Sequence, residues 1–253
     1  MNNLRRRLRS DEALLGTLIS LDSPELAMIL QHAGFSWFFL DLEHSALLDL
    51  KSAQRIIEVL QPRGYAVIRV PDGSETWIKH ALDTGCDGII VPHVSTPEEA
   101  ERVVRSAKYP PAGGRSVGIS RAQGYGARFH EYLSEATDSI AVIAQIEDVE
   151  GVKNIDAILA VDGIDAIFVG PYDLSGSLGI LGELSNPALA EMVDRVRAAC
   201  QAKGMPLGMF CPNPEAANTE LGMRTLLLAI GSDAGHVATG AKATLDQLRR
   251  PRQ

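Results

Sequence analysis

Two acidic residues carry the most chemical information in this chain. Glu147 directly follows the apolar run of residues 140–146, and Asp173 follows residues 165–169 by way of Gly170, Pro171 and Tyr172. If these runs are neighbouring strands, their ends lie about 4.8 Å apart, and two carboxylates projecting from them can share one cation. Two carboxylates without His or Cys select a hard divalent ion, Mg²⁺ or Mn²⁺ before Co²⁺, and leave positions open for substrate oxygens. An acid after a strand also serves simply as the cap of the next helix. Gln145, two positions before Glu147, shares its side of the strand and favours a common polar site over two independent caps.

Arg69 lies two residues after Val67 in the apolar segment 65–70, on the side of a core-like residue, where an uncompensated guanidinium is costly. It therefore answers an anion: Glu147 or Asp173 in an ion pair, or the carboxylate or developing oxyanion of a substrate, which is the preferred assignment. His44 closes the run Asp41-Leu42-Glu43-His44 and is a candidate base near neutral pH, with hydrogen-bonded packing as the alternative. His93, after Pro92, reads as a rim residue that packs or hydrogen-bonds. The remaining histidines, His32, His80, His130 and His236, fall in helices or loops and carry no signal.

The elements that must position these groups recur regularly. Short apolar or β-branched runs bounded by Gly, Pro, Asp or Ser occur at residues 14–20, 36–42, 65–70, 87–92, 140–146, 165–169, 206–210 and 224–229. Helix starts stand between them: Ser23-Pro24-Glu25, Thr96-Pro97-Glu98-Glu99, Asn186-Pro187 and Asn213-Pro214-Glu215 each place a capping side chain before a proline at the first helical position. Thr96 with Glu99 fits a capping box. Leu189, Met192, Val193, Val196 and Cys200 keep helical spacing up to Gly204. Eight strand–helix units predict a closed (β/α)₈ barrel of class α/β, formed as one domain over residues 1–253. An open doubly wound sheet ranks second, because no G-x-G-x-x-G follows the first strand. In a barrel the strands' carboxyl ends carry the chemistry, and Asp41 to His44, Arg69, Gln145, Glu147 and Asp173 all fall there. Residues 108–138 form one long connection that breaks the rhythm.

Composition narrows the possibilities. Of 253 residues 45% are hydrophobic, ample for one large core, and the net charge of −8 argues against nucleic-acid or anionic-membrane partners. Arg5, Arg6, Arg7 and Arg9 form the one basic run, read as a solvated helix face. No apolar run is long enough for a membrane span or a secretory signal, so a cytoplasmic protein is expected. Cys86, Cys200 and Cys211 form neither a disulfide framework nor a zinc pattern and are read as small apolar residues.

At the same residues the chain resembles the HpcH/HpaI family of class II pyruvate aldolases. The similar segments are Phe39-Leu40-Asp41-Leu42-Glu43-His44, Ile68-Arg69-Val70-Pro71, Ala81-Leu82-Asp83-Thr84-Gly85, the Pro110 to Gly118 loop, Ala144-Gln145-Ile146-Glu147 and Gly170-Pro171-Tyr172-Asp173-Leu174-Ser175. The resemblance implies a barrel of the phosphoenolpyruvate/pyruvate-binding type that joins or splits a pyruvate enolate and an aldehyde. It implies Glu147 and Asp173 as metal ligands, and Gln145 with the backbone around Tyr172 and Asp173 as the pyruvate pocket. Arg69 would stabilise the enolate, and His44 would be the base, supported by Asp83. It also implies a homohexamer in which the last helix, over residues 233–249, exchanges between partners. Asp72-Gly73-Ser74, Cys211-Pro212-Asn213 and Gly235-His236-Val237 depart from the family pattern and leave the second substrate open. Arg115 and Arg121 in the long loop either bind that substrate's far carboxylate or brace the loop.

Two other readings follow from the same residues. The enolate could condense as in a citrate synthase, from oxaloacetate or an acyl-CoA ester, although no basic adenine-phosphate site is evident. A catalytically silent barrel that binds a carboxylate would not need both acids, His44 and Arg69 together.

Overall fold

A computed structural model describes residues 3–10 and 12–248. Eight parallel strands close into a barrel in sequence order: β1 (Leu14–Ile19), β2 (Trp37–Asp41), β3 (Tyr65–Arg69), β4 (Gly88–Val91), β5 (Ala141–Ile146), β6 (Ala166–Val169), β7 (Leu207–Cys211) and β8 (Leu227–Ser232). Each expected strand is present. The eighth begins three residues later than its apolar run, because Arg224 takes a left-handed conformation (φ 61°) after helix Pro214–Gly222 and the chain needs two more residues to enter the sheet.

The helix signals act as read. Ser23, Thr96, Asn186 and Asn213 each accept a first-turn backbone N–H, Thr96 and Glu99 form the capping box, and Gly204 (φ 65°) ends helix Pro187–Lys203. The barrel is buried on both faces, so the strands read as continuous apolar runs. Side chains nevertheless alternate between two cores. Phe38, Leu40, Ile68, Val91, Val142, Ala144 and Ile167 point out to the helices. Trp37, Phe39, Val67, Ile90, Ile143 and Phe168 fill the barrel's interior, with the rings of Phe39 and Phe168 edge-on at 5.4 Å. Helix Leu4–Leu8 closes the amino end by burying Leu4 and Leu8 in that interior core. Its basic face is only partly solvated, since Arg5 Nε bonds Asp165 Oδ1 at 2.5 Å and Arg7 pairs with Glu12.

The three cysteines are free and buried, and burial pushes each thiol up to about 12, so they remain neutral as expected. No helix among the described residues is long and apolar enough to cross a membrane. Of the expected terminal helix, Asp233–Asp246 is helical, and residue 249 lies outside the described residues.

The long connection lies at the strands' amino end, because helix Pro97–Ala107 runs antiparallel to β4 and delivers the chain there. Arg115 and Arg121 brace it. The Arg115 side chain is wholly buried, donates to Asp83 Oδ1 at 2.7 Å and lies over the Tyr109 ring at 4.7 Å. Arg121 donates to Thr84 O at 2.7 Å and pairs with Glu58 at 3.3 Å. A cavity of about 1010 Å³ opens at this end, lined in part by Gln61, Tyr65, Asp87, Arg121 and Asp138.

Candidate active site

Period-two alternation determines which side chains reach the barrel's mouth. The interior column that contains Phe39 continues to Asp41, that of Val67 to Arg69, and that of Ile143 to Gln145 and then Glu147. Asp41 and Arg69 are direct register partners at the ends of β2 and β3. Arg69 donates from Nε to Asp41 Oδ1 at 2.9 Å and from Nη2 to Oδ2 at 2.7 Å. Its Nε also lies 3.1 Å from Glu43 Oε2, and its guanidinium stands 5.0 Å from the Phe39 ring. Nη1 meets no acceptor among the described residues. The ion-pair alternative for Arg69 named Glu147 or Asp173, whereas the partners in the structure are Asp41 and Glu43. In a barrel, the strand beside β3 supplies the nearest acid, whereas β5 and β6 stand further round the ring.

Glu147 is buried, and both its oxygens are occupied. Oε1 accepts the backbone N–H of His93 at 2.7 Å and lies 3.1 Å from His93 Nδ1; Oε2 accepts from Gln145 Nε2. A Cβ on Gly170 would come within 2.8 Å of Glu147 Oε2, so glycine at that point is what lets the carboxylate stand beside the end of β6. Gln145 Oε1 is buried without a hydrogen-bond partner among the described residues. Asp173 sits in the first turn of helix Pro171–Ser177, directly after β6, exposed and free of any ion pair or hydrogen bond among the described residues. The first turn of that helix also carries Tyr172, 44% exposed.

His44 is at the mouth, its side chain 65% exposed and Nε2 3.7 Å from Glu43 Oε2; Asp41 Oδ1 accepts the backbone N–H groups of Glu43 and His44 at 3.1 and 3.3 Å. Asp83 is not there. Helix Glu75–Asp83 carries its last residue back to the amino end of the barrel, where Asp83 binds Arg115, so within one chain it cannot support His44.

Two further residues belong to the cluster. Glu43 links Arg69, His44 and His93, and His93, read from sequence as a rim residue, bridges Glu43 and Glu147. The sequence signal for Glu43 was its place between Asp41 and His44, and for His93 its place after Pro92 at the end of the fourth strand; the φ of 55° that turns it onto Glu147 is a tertiary fact. Burial raises the Glu43 carboxyl above its ordinary range; Arg69 opposes this and Glu147 reinforces it. Burial alone would lower Arg69, but the bond to Asp41 and the charges of Asp41, Glu43 and Glu147 hold it above its ordinary value.

Three buried or nearly buried carboxylates, Asp41, Glu43 and Glu147, therefore face one guanidinium, and Asp173 follows in the helix turn that begins at the end of β6. Uncompensated buried charge is costly, so this excess of negative charge favours a bound cation. The carboxylates of Glu147 and Asp173 are hard oxygen donors, Gln145 Oε1 lacks a partner among the described residues, and Gly170 leaves room beside Glu147 Oε2, which together suit a hard divalent ion.

The profile of the family described as HpcH/HpaI aldolase/citrate lyase matches residues 15–240. A 4-hydroxy-2-oxovalerate aldolase of Novosphingobium aromaticivorans is 36% identical over 255 aligned residues, covering 100% of this chain and 95% of that protein. A hydroxypyruvate/pyruvate aldolase of Pseudomonas aeruginosa is 37% identical, with 92% and 87% covered. The crystal structure of a HpcH/HpaI aldolase/citrate lyase family protein from Burkholderia cenocepacia J2315 superposes with a TM-score of 0.93 at 33% identity, covering 98% of this chain and 99% of that one.

Proposed function

The chain belongs to the HpcH/HpaI aldolase/citrate lyase family and is a carbon–carbon lyase, and from that premise we propose that it interconverts a 4-hydroxy-2-oxo acid with pyruvate and an aldehyde. The observation that carries this reading is the excess of carboxylates around Arg69, with its Nη1 donors unused. Glu147 and Asp173 would hold a divalent cation, Mg²⁺ or Mn²⁺, which supplies Lewis-acid polarisation of the 2-oxo group.

The chain's own residues supply the rest. Arg69, fixed by Asp41, presents Nη1 to the oxygen that gains charge as the enolate forms, a preorganised donor in a partly dry site. Gln145 and the Tyr172–Asp173 turn form the pocket for the 2-oxo acid. In cleavage, His44 Nε2 takes the proton of the 4-hydroxyl, the C3–C4 bond breaks, and its electron pair passes into the enolate. The aldehyde leaves, and return of the proton to C3 gives pyruvate. Asp41 orients this base by fixing the backbone of residues 43 and 44.

The reading is tested by pyruvate α-proton exchange in D₂O and by pyruvate release from 4-hydroxy-2-oxo acids. Both should be lost in EDTA and restored by Mn²⁺ or Mg²⁺; exchange that persists after complete metal removal would overturn it. The proposal extends to a cytoplasmic, single-domain homo-oligomer, a hexamer joined through helix Asp233–Asp246, where Val237 and Leu245 are more than half exposed. Light scattering on the purified chain measures that assembly, and a monomer would rule it out.

A further inference from the structure

His93 is the only non-glycine residue at the mouth of the barrel with positive φ, 55°, among the described residues. Left-handed backbone costs a residue other than glycine free energy, and it persists where the surroundings over-determine it. Here the surroundings are two carboxylates, Glu147 and Glu43. The His93 backbone N–H donates to Glu147 Oε1 at 2.7 Å, and ring Nδ1 lies 3.1 Å from the same oxygen. The other ring nitrogen, Nε2, is 3.3 Å from Glu43 Oε1. The next residue locks the turn to β5, since Val94 N–H donates to Gln145 O at 3.2 Å.

These contacts divide the two oxygens of Glu147. Oε1 is the one held by His93. Oε2 is the one beside Gly170, where a Cβ would come within 2.8 Å, and so the one turned toward the end of β6 and the turn that carries Asp173. Oε2 also accepts from Gln145 Nε2, but a carboxylate oxygen has a second lone pair, so with Oε1 gripped it can still meet a cation on the Gly170 side in a fixed direction. The proposed cation lies on the Asp173 side, so the oxygen that His93 grips is the outward one.

We propose that His93 is a positioning residue for the divalent cation: its ring and its left-handed backbone together clamp Glu147 Oε1, so that Oε2 is presented to the metal, and its second ring nitrogen ties this clamp to Glu43 and through it to Arg69. The proposal rests on the reading of Glu147 as a metal ligand. Groups that orient a metal's ligands typically contribute about ten- to a hundredfold in affinity.

Mn²⁺ binding followed by electron paramagnetic resonance tests this without recourse to turnover. His93→Gly keeps the backbone N–H and favours the same φ, so it removes only the ring. It should weaken Mn²⁺ binding about ten- to a hundredfold, with metal-free thermal unfolding little changed. His93→Asn tolerates left-handed backbone and retains a side-chain donor, and should recover most of the loss. A glycine variant that binds Mn²⁺ as tightly as the native chain, or more tightly, would overturn the proposal, as would an asparagine variant as weak as the glycine one. Glu147→Gln separates the two readings. If it leaves Mn²⁺ affinity unchanged, the metal site itself is elsewhere; if it abolishes binding while His93→Gly does not, only the role of His93 fails.

Discussion

Arg69 and Asp41, the last residues of adjacent strands, meet in direct register through two parallel hydrogen bonds, Nε to Oδ1 at 2.9 Å and Nη2 to Oδ2 at 2.7 Å. Both are buried, so the guanidinium plane is held by the sheet itself, and the donors left over point where the sheet aims them. The same carboxylate accepts the backbone N–H groups of Glu43 and His44, so one acid fixes both the guanidinium and the backbone that carries His44.

Arg69→Lys keeps the charge and loses the fork. Lysine cannot hold Asp41 bidentately and still present a donor to substrate. Loss of one preorganised oxyanion donor costs about 10²- to 10³-fold in turnover. The expected result is a fall of that size in kcat for pyruvate proton exchange, with a smaller change in KM. A variant within threefold of the native rate would show that Arg69 is structural only.

Gly170→Ala places a methyl group 2.8 Å from Glu147 Oε2 and 3.0 Å from its Cβ. Glu147 cannot retreat easily, because His93 holds Oε1. Titration calorimetry with Mn²⁺ should show weaker binding by at least about tenfold, while the melting temperature moves by only a few degrees. Native affinity in the alanine variant would mean that Oε2 does not face the cation.

At the other side of the barrel, Gly16 faces Trp37, whose indole Nε1 donates to Leu228 O at 3.0 Å. A Cβ there would stand 2.4 Å from Trp37 side-chain and backbone atoms. Since the indole is pinned and the contact includes backbone, Gly16→Ala should cost about 3 kcal/mol, at the upper end for overpacking. Urea unfolding measures it, and a loss below about 1 kcal/mol would show that the barrel wall yields.

Lys108 gives a pH dependence. It is 2% exposed, and burial, opposed by Asp165, lowers its amine from the ordinary 10.5 to about 8. Between those values the unfolded chain holds the proton and the native chain does not, so stability rises with pH from about 8 to about 10.5. Below about 8 the full penalty of the buried charge is present. The native chain should therefore gain up to roughly 3 kcal/mol relative to Lys108→Met across that window. Parallel stability–pH curves for the two proteins would contradict this origin of the effect.

The barrel was legible because its signals are local. Thr96 with Glu99, Asn186 before Pro187, and the glycine at 204 act through bonds within a few residues, and apolar strand runs follow from burial on both faces. Arg69 and Gln145 were placed at the mouth by strand periodicity, which needs only knowledge of which neighbour is buried inward. The partners of Arg69 were not legible, since they depend on which strand lies beside β3. The place of Asp83 was not legible for a related reason: the direction of a return helix sends it, within one chain, to the end opposite His44, which the similar segment around it does not reveal.

The order of residues by itself determined the eight-unit barrel, the end that carries polar groups, and the presence of Arg69, Gln145 and Glu147 at that end. Tertiary structure alone decided that Asp41 rather than Glu147 grips Arg69, that His93 bridges Glu43 and Glu147, and that Gly170 is the space into which Oε2 fits. Strand patterns repeat every two residues and fix a side chain's face, whereas pairings around a closed ring depend on register and on backbone angles set by contacts far apart in sequence.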